Sequence, residues 1–190
     1  MKLMKIKQEL PPYDVLSIHP HNIEFRKYAP SKWIACKVTC NGEDLKNHYF
    51  KMISKLVVYT KFKSLSDRNS TVCLPVTVKM TNKHHTKINR NSNVEMSIRF
   101  FVPKKIDDLG TMSLFDARVE KEPAMSVVII AFTGYPTMDR CMFYKDLLVA
   151  YLGSEAANYD CTNMIIANYD HFRFNPFERK NEIWLCKNVD

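Results

Sequence analysis

The sequence predicts an α+β fold: a distorted open β-barrel of two pseudo-symmetric ββαββ halves, with two helices outside it. Three observations predict this. Apolar residues alternate with period two in a series of short runs, as strands with one face in a core do. Two segments instead carry apolar residues at helical spacing. These segments follow one another as strand, strand, helix, strand, strand, twice, with no linker between the halves. Two such halves can close a mixed sheet into an open barrel.

Residues 1–12 are polar, end in Pro11-Pro12 and read as a flexible arm, leaving 13–190 as a single domain. Ile23 and Phe25, then Ile34, Cys36, Val38 and Cys40, alternate with other residues and form two strands around a turn at Tyr28 to Ser31. Asn41-Gly42 ends the second, and Glu43 and Asp44 put acids at the positive end of a helix over about 43–60. Leu45, Tyr49, Met52, Ile53 and Leu56 are its stripe, and Phe50, Ser54 and Val57 form a second flank, so the helix has two things to face. Val72 to Met80 is an edge or irregular strand because Pro75 lies inside it. Thr81 to Asn93 is polar and basic, an exposed hairpin loop, and Val94 to Val102 alternates cleanly up to Pro103.

Leu114 to Glu120 and Met125 to Thr133 open the second half as strands. Thr137 can N-cap the second helix, Cys141, Tyr144, Leu148, Tyr151 and Leu152 form its stripe, and Gly153 is suited to its C-terminal end. Thr162 to Asn168 and Ile183 to Lys187 are the last strands, parted by a loop from Tyr169 to Lys180.

The chain has 190 residues, long enough for one full core. Its net charge of +8 favours anionic partners, but the charge is spread, so specific nucleic-acid binding is not expected. No apolar run is long enough for a membrane span, and the N-terminus is too charged for a signal peptide, so an intracellular, reducing location is the default. None of the 6 cysteines forms a C-x-x-C pair. Cys36 and Cys40 would share a strand face roughly 13 Å apart, too far for a disulfide, so buried free thiols are expected. Nothing pairs a nucleophile with an oriented base: Glu43, Asp44, Tyr49 and Glu182 are scattered, and G-x-S-x-G, H-E-x-x-H and a phosphate loop are absent.

Several segments together resemble the SOUL haem-binding family, the cytosolic haem-binding proteins of animals and plants. They are Tyr13-Asp14-Val15-Leu16, Glu24-Phe25-Arg26-Lys27-Tyr28 with Lys32-Trp33, Leu74-Pro75-Val76, Phe100 to Pro103, Met125 to Tyr135, Tyr169-Asp170, and Arg179 to Leu185. The closing Arg179-Lys180-Asn181-Glu182-Ile183-Trp184-Leu185 is the most specific, and the resemblance runs in order over roughly residues 11–187. It implies the duplicated barrel and non-enzymatic binding of haem or another tetrapyrrole, as carrier or buffer, in a shallow apolar pocket. It puts that pocket on Asn47, Phe50, Ser54, Lys55 and Val58 of the first helix, facing Arg173, Phe174 and Asn175 before the last strand. Phe50, Val57 and Phe174 would supply walls, and Lys55 and Arg173 would pair with the propionates. Solvated surface cations are the alternative for those two.

Among the 6 histidines, His48 and His171 are the candidate iron ligands, and burial with propionate pairing but no strong axial ligand is the leading version. Trp33 and Trp184 are expected to pack the fold rather than touch ligand. Some relatives are linked to mitochondrial permeability and cell-death control. The alternative function is therefore a ligand-free protein-interaction module, with a protein partner and a mitochondrial association.

Overall fold

The structure is a computed structural model that describes residues 10–41, 44–63, 75–82, 93–103, 117–169 and 176–188. Among the described residues nine strands form one sheet: β1 Tyr13–His19, β2 Ile23–Tyr28, β3 Ser31–Asn41, β4 Val76–Asn82, β5 Asn93–Val102, β6 Ala117–Glu122, β7 Met125–Thr133, β8 Met164–Asn168 and β9 Lys180–Cys186. Two helices interrupt them, α1 Leu45–Lys63 and α2 Met138–Leu152. The strand order is β1-β2-β7-β9-β8-β4-β5-β3-β6, and every neighbouring pair is antiparallel. The fold is thus α+β, but β1 and β6 stand as unpaired edges among the described residues, so the expected barrel is an open sheet.

The sheet is nevertheless strongly curved. In a flat sheet the five spacings from β9 to β6 would separate them by roughly 24 Å. Burial pushes the Cys186 thiol on β9 up, and Lys79, Glu122 and Arg99 on β4, β6 and β5 are all close enough to bias it. With the helix core on one face, burial of the other face too requires the sheet to bend back on itself.

Curvature explains why both sheet faces are buried. One face carries both helices: Met52 and Leu56 of α1 and Cys141, Leu148 and Leu152 of α2 share a core with Ile34, Ile98, Ile130, Ile166 and Ile183. Among the described residues no α-helix packs on the other face, yet Trp33 and Trp184 on it are wholly buried. Tyr28 stacks on Trp184 with centroids 4.7 Å apart, and Trp33 meets Phe101 edge-on at 5.7 Å. The residues that alternate with the first core thus build a second interior.

That second interior contains charge. Arg26 on β2 donates two hydrogen bonds to Glu182 on β9, at 3.0 and 3.1 Å, across the intervening β7. Arg26 also donates to Glu24 at 2.7 Å and covers the Tyr13 ring at 4.5 Å. Glu182 further accepts from the Tyr169 hydroxyl at 2.7 Å and from the Trp184 indole at 2.8 Å. Burial pushes the Tyr28 and Tyr169 phenols up, so both stay neutral beside the pair, Tyr28 accepting from Arg26 Nη1 at 3.2 Å and Tyr169 donating to Glu182.

Most element positions follow the sequence pattern. β5 matches the expected alternating run and β7 the expected apolar run, and Thr137 caps α2 by accepting from the Arg140 N–H at 3.4 Å. Gly153 takes φ 54°, where a side chain is disfavoured, and turns the chain out of α2. α1 runs later than expected, to Lys63. β4 starts just after Pro75, which lacks the N–H a ladder needs; 72–74, 83–92 and 114–116, where strand and loop were also expected, lie outside the described residues, as do residues 1–9 of the expected arm. β9 begins at Lys180, three residues early, because Asn181 and Glu182 are buried polar groups in the ladder rather than loop. β1 was not anticipated: its Val15, Leu16 and Ile18 are exposed, so it lacks the alternation of a half-buried strand. β8 starts at Met164 because Thr162 and Asn163 close a turn on Asp160, whose carboxylate accepts four hydrogen bonds from them at 2.7–3.2 Å.

Two predictions follow from these networks. Arg26→Met or Glu182→Met alone should cost about 3–5 kcal/mol, because each leaves a buried charge unpaired. The double variant should cost clearly less than the sum in urea denaturation, and strict additivity would exclude the coupling. Burial opposes ionisation of Asp160, but its hydrogen bonds from Asn163 and Thr162 outweigh this and hold the carboxyl below the usual range. Its stabilisation is therefore complete above the ordinary carboxylate pKa and lost as pH falls through the depressed folded value. Asp160→Ala should cost on the order of 1 kcal/mol at neutral pH. The gap to the unsubstituted protein should close in urea titrations repeated below about pH 4.

Candidate functional site

The helix face away from the core is where a ligand wall was expected, and α1 presents part of one. Asn47, Phe50 and Ser54 are exposed on it, spaced so that they share a flank. Phe50 is 58 % exposed and meets Tyr49 edge-on at 5.6 Å. The Ser54 hydroxyl donates to the Phe50 carbonyl at 2.9 Å, so it faces its own helix. Lys55 is half-buried. The Val58 side chain, Arg173, Phe174, Asn175 and His171 lie outside the described residues. Met52 is buried in the core, which removes it as a partner for half-buried His48 on one iron. No group of three or more His, Cys, Asp or Glu able to hold a metal occurs among the described residues.

One described feature does link α1 with the segment before β9. Burial pushes the Tyr49 phenol up, and Arg179 is close enough to oppose that shift. Arg179 also lies 4.7 Å from the centre of the Tyr135 ring. The Arg179 charge, just before β9, thus reaches the inner side of α1.

A more apolar wall lies on α2. Phe143, Leu147 and Tyr151, spaced at successive turns, are exposed by 58, 43 and 41 %. They line a groove of about 750 Å³ whose floor includes Phe132 and Ile130 of β7. Phe132 and Tyr144 stack at 4.3 Å with their planes 15° apart, which makes one wall flat. His21 and Lys180 also belong to the lining, but the Lys180 ammonium lies 3.7 Å from Glu182 and 5.3 Å from the centre of the Tyr169 ring. His21 and Asn22, both at positive φ, form the turn that closes one end of the groove.

This groove was not read from the sequence, and Tyr151 was placed in the core stripe of α2, where it does not belong. The signal was present: Phe143, Leu147 and Tyr151 recur at i, i+4 and i+8, a second apolar flank like the one noticed on α1. The geometry suits a flat apolar ring system. Cavities of 300–1,000 Å³ with aromatic walls and a few convergent polar groups are typical of such ligands. On α1 the described flank has one large exposed apolar side chain, Phe50, and a half-buried cation, Lys55. Among the described residues, no helix is long and apolar enough to cross a membrane.

The contrast between α2 faces can be measured. Leu148→Ala, in the core, should cost about 2–5 kcal/mol in urea denaturation. Leu147→Ala, on the groove, should cost no more than about 1 kcal/mol. Equal costs would mean that the groove wall is core.

Comparison with known proteins adds the following. The family model described as SOUL heme-binding protein matches residues 8–186. Among curated proteins, none matches the chain in sequence. Solved structures share its fold at low identity. An uncharacterized conserved protein from Listeria innocua is 11 % identical with a TM-score of 0.62, over 87 % of this chain and 91 % of that one. A hydrolase from Listeria innocua is 12 % identical with a TM-score of 0.58, over 87 % and 91 %. SAV2435 bound to tetraphenylphosphonium is 11 % identical with a TM-score of 0.51, over 87 % and 93 %.

Proposed function

Because the chain belongs to the SOUL heme-binding protein family, we propose that it binds haem or another tetrapyrrole without catalysing a reaction on it, as a carrier or buffer. The observation that carries this reading is the family match over residues 8–186, nearly the whole chain. The bound ring would supply its own iron chemistry; the protein's part is to bury a flat apolar disc and pair its propionates.

Two surfaces enter the proposal. The first is the α1 flank, with Asn47, Phe50, Ser54, Lys55 and Val58 against Arg173, Phe174 and Asn175, and with His48 or His171 as the imidazole nearest an iron. The second is the α2 groove. Its flat Phe132–Tyr144 wall and its line of Phe143, Leu147 and Tyr151 support a flat apolar disc. We read α1 and α2 as counterparts in a duplicated chain. What supports this is the strand order, which reads the same when β2–β5 are exchanged with β6–β9. One domain over 13–190 and a cytoplasmic location belong to the same reading. The hydrolase among the fold relatives shares architecture only, and architecture does not carry chemistry.

Haem titrated into the purified protein should give a saturable Soret-band shift at micromolar concentration. Lys55→Glu with Arg173→Glu should weaken it if α1 holds the ring. Phe143→Glu with Leu147→Glu should weaken it if α2 does. Absence of any saturable shift would reject the reading.

A second reading, an interaction module that has kept the fold without the ligand, is favoured by β1. This edge strand leaves Val15, Leu16 and Ile18 exposed by 46, 60 and 73 %. A stoichiometric protein partner in pull-downs, indifferent to haem, would support it.

A further inference from the structure

The sheet face away from both helices holds a second cavity, of about 500 Å³, walled by β3, β4, β5 and β6. Its lining is polar. Ser97 on β5 stands between Lys37 on β3 and Lys79 on β4 in the strand register. Such opposed residues lie about 5 Å apart at their β-carbons. Arg99 follows two residues along the same face and is 2 % exposed.

The Arg99 guanidinium is held on three sides. Nη1 donates to Glu122 at 2.6 Å, Nε donates to the Thr77 hydroxyl at 3.3 Å, and Trp33 lies beneath with its ring centre 5.0 Å from Cζ. Among the described residues, Nη2 has no hydrogen-bond partner, and neither has the Ser97 hydroxyl, in a residue 5 % exposed. Buried polar groups are nearly always satisfied, so two unsatisfied ones in the lining of one cavity call for an explanation. The surrounding charges favour an anion. Glu120 is taken up by Lys37 at 2.7 Å and Glu122 by Arg99. Of the remaining charges in the lining, Lys79 holds no ion pair among the described residues and stands opposite Ser97, with the carboxylate of Glu95 two residues further along the same face; Lys121 is exposed on the edge strand.

We propose that this cavity binds the phosphate or carboxylate group of a small polar metabolite. The oxyanion accepts from Arg99 Nη2 and Ser97 Oγ and pairs with the Lys79 ammonium. A guanidinium fixed by other contacts is pre-organised for this, because its free N–H groups need no reorientation. The rest of the volume, lined by Thr81 and Glu95, suits hydroxyl or amine groups on the same molecule. The site is independent of tetrapyrrole binding, since both helices pack on the opposite face.

The test is an NMR titration of the full chain without haem. Inorganic phosphate and acetate are added separately, against chloride at matched ionic strength. Saturable shifts are expected at the Ser97 and Arg99 amides and at the Arg99 Nε–H. Response to phosphate alone, to acetate alone or to both identifies the anion class. Lys79→Gln and Ser97→Ala should each weaken binding roughly tenfold. Ser97→Ala removes an unsatisfied hydroxyl, so its fold should be intact. Lys27→Gln, an equal loss of charge at an exposed position on β2, should change nothing. Shifts no larger than in chloride, or saturable binding unaltered by both site variants, would overturn the proposal.

Discussion

The Arg26 guanidinium and the Glu182 carboxylate meet across β7, at 2 and 0 % exposure, and the arrangement of the sheet depends on their meeting. Either charge alone in that interior would carry a desolvation cost of several kcal/mol. A one-residue slip of β2 or β9 would turn one partner to the other face and leave the second unpaired. The pair therefore penalises every register but one for the strands flanking β7. Tyr169 and Trp184 add hydrogen bonds to the same carboxylate, so the strand carrying Glu182 and the residue at the end of β8 are held together. The floor of the α2 groove is β7, and the turn closing it leads into β2. Its shape rests on that register.

Curvature gives the sheet two interiors of different character. The helix-bearing one is apolar, and the helices leave their outer flanks to solvent. The other mixes tryptophan and tyrosine with two buried arginines, each fixed by a carboxylate and an aromatic ring. The arginines differ in one respect. Every donor of Arg26 is used within the fold, whereas Arg99 keeps one nitrogen directed to no protein acceptor. One arginine closes its end of the interior, and the other leaves its end able to receive an anion.

Much of the fold was legible along the chain. Val94 to Val102 is legible as a strand by its apolar residues at period two, Met125 to Thr133 by its run of apolar, β-branched residues, and Thr137 and Gly153 bound α2 through contacts within one turn. β1 was not legible, because an edge strand with exposed Val15, Leu16 and Ile18 carries no alternation. The extra turns of β9 were hidden by Asn181 and Glu182, polar residues that a reader assigns to a loop unless their buried partners are known. Of the candidate site, the α1 flank was visible as an over-wide stripe. The α2 groove escaped notice although Phe143, Leu147 and Tyr151 form a similar stripe, because Tyr151 was taken for core.

The sequence by itself determined the element order, the helix caps, the faces of the regular strands and membership of a family, all of which rest on local periodicity or on residue identities in series. Only the tertiary structure decided that the sheet stays open, that its second face is also an interior, and which flank has a wall. Those outcomes depend on residues far apart in the chain, as with Arg26 and Glu182, 156 positions apart. No local pattern encodes such a contact. It exists only when the curved sheet excludes water from both partners and makes their pairing cheaper than their separation.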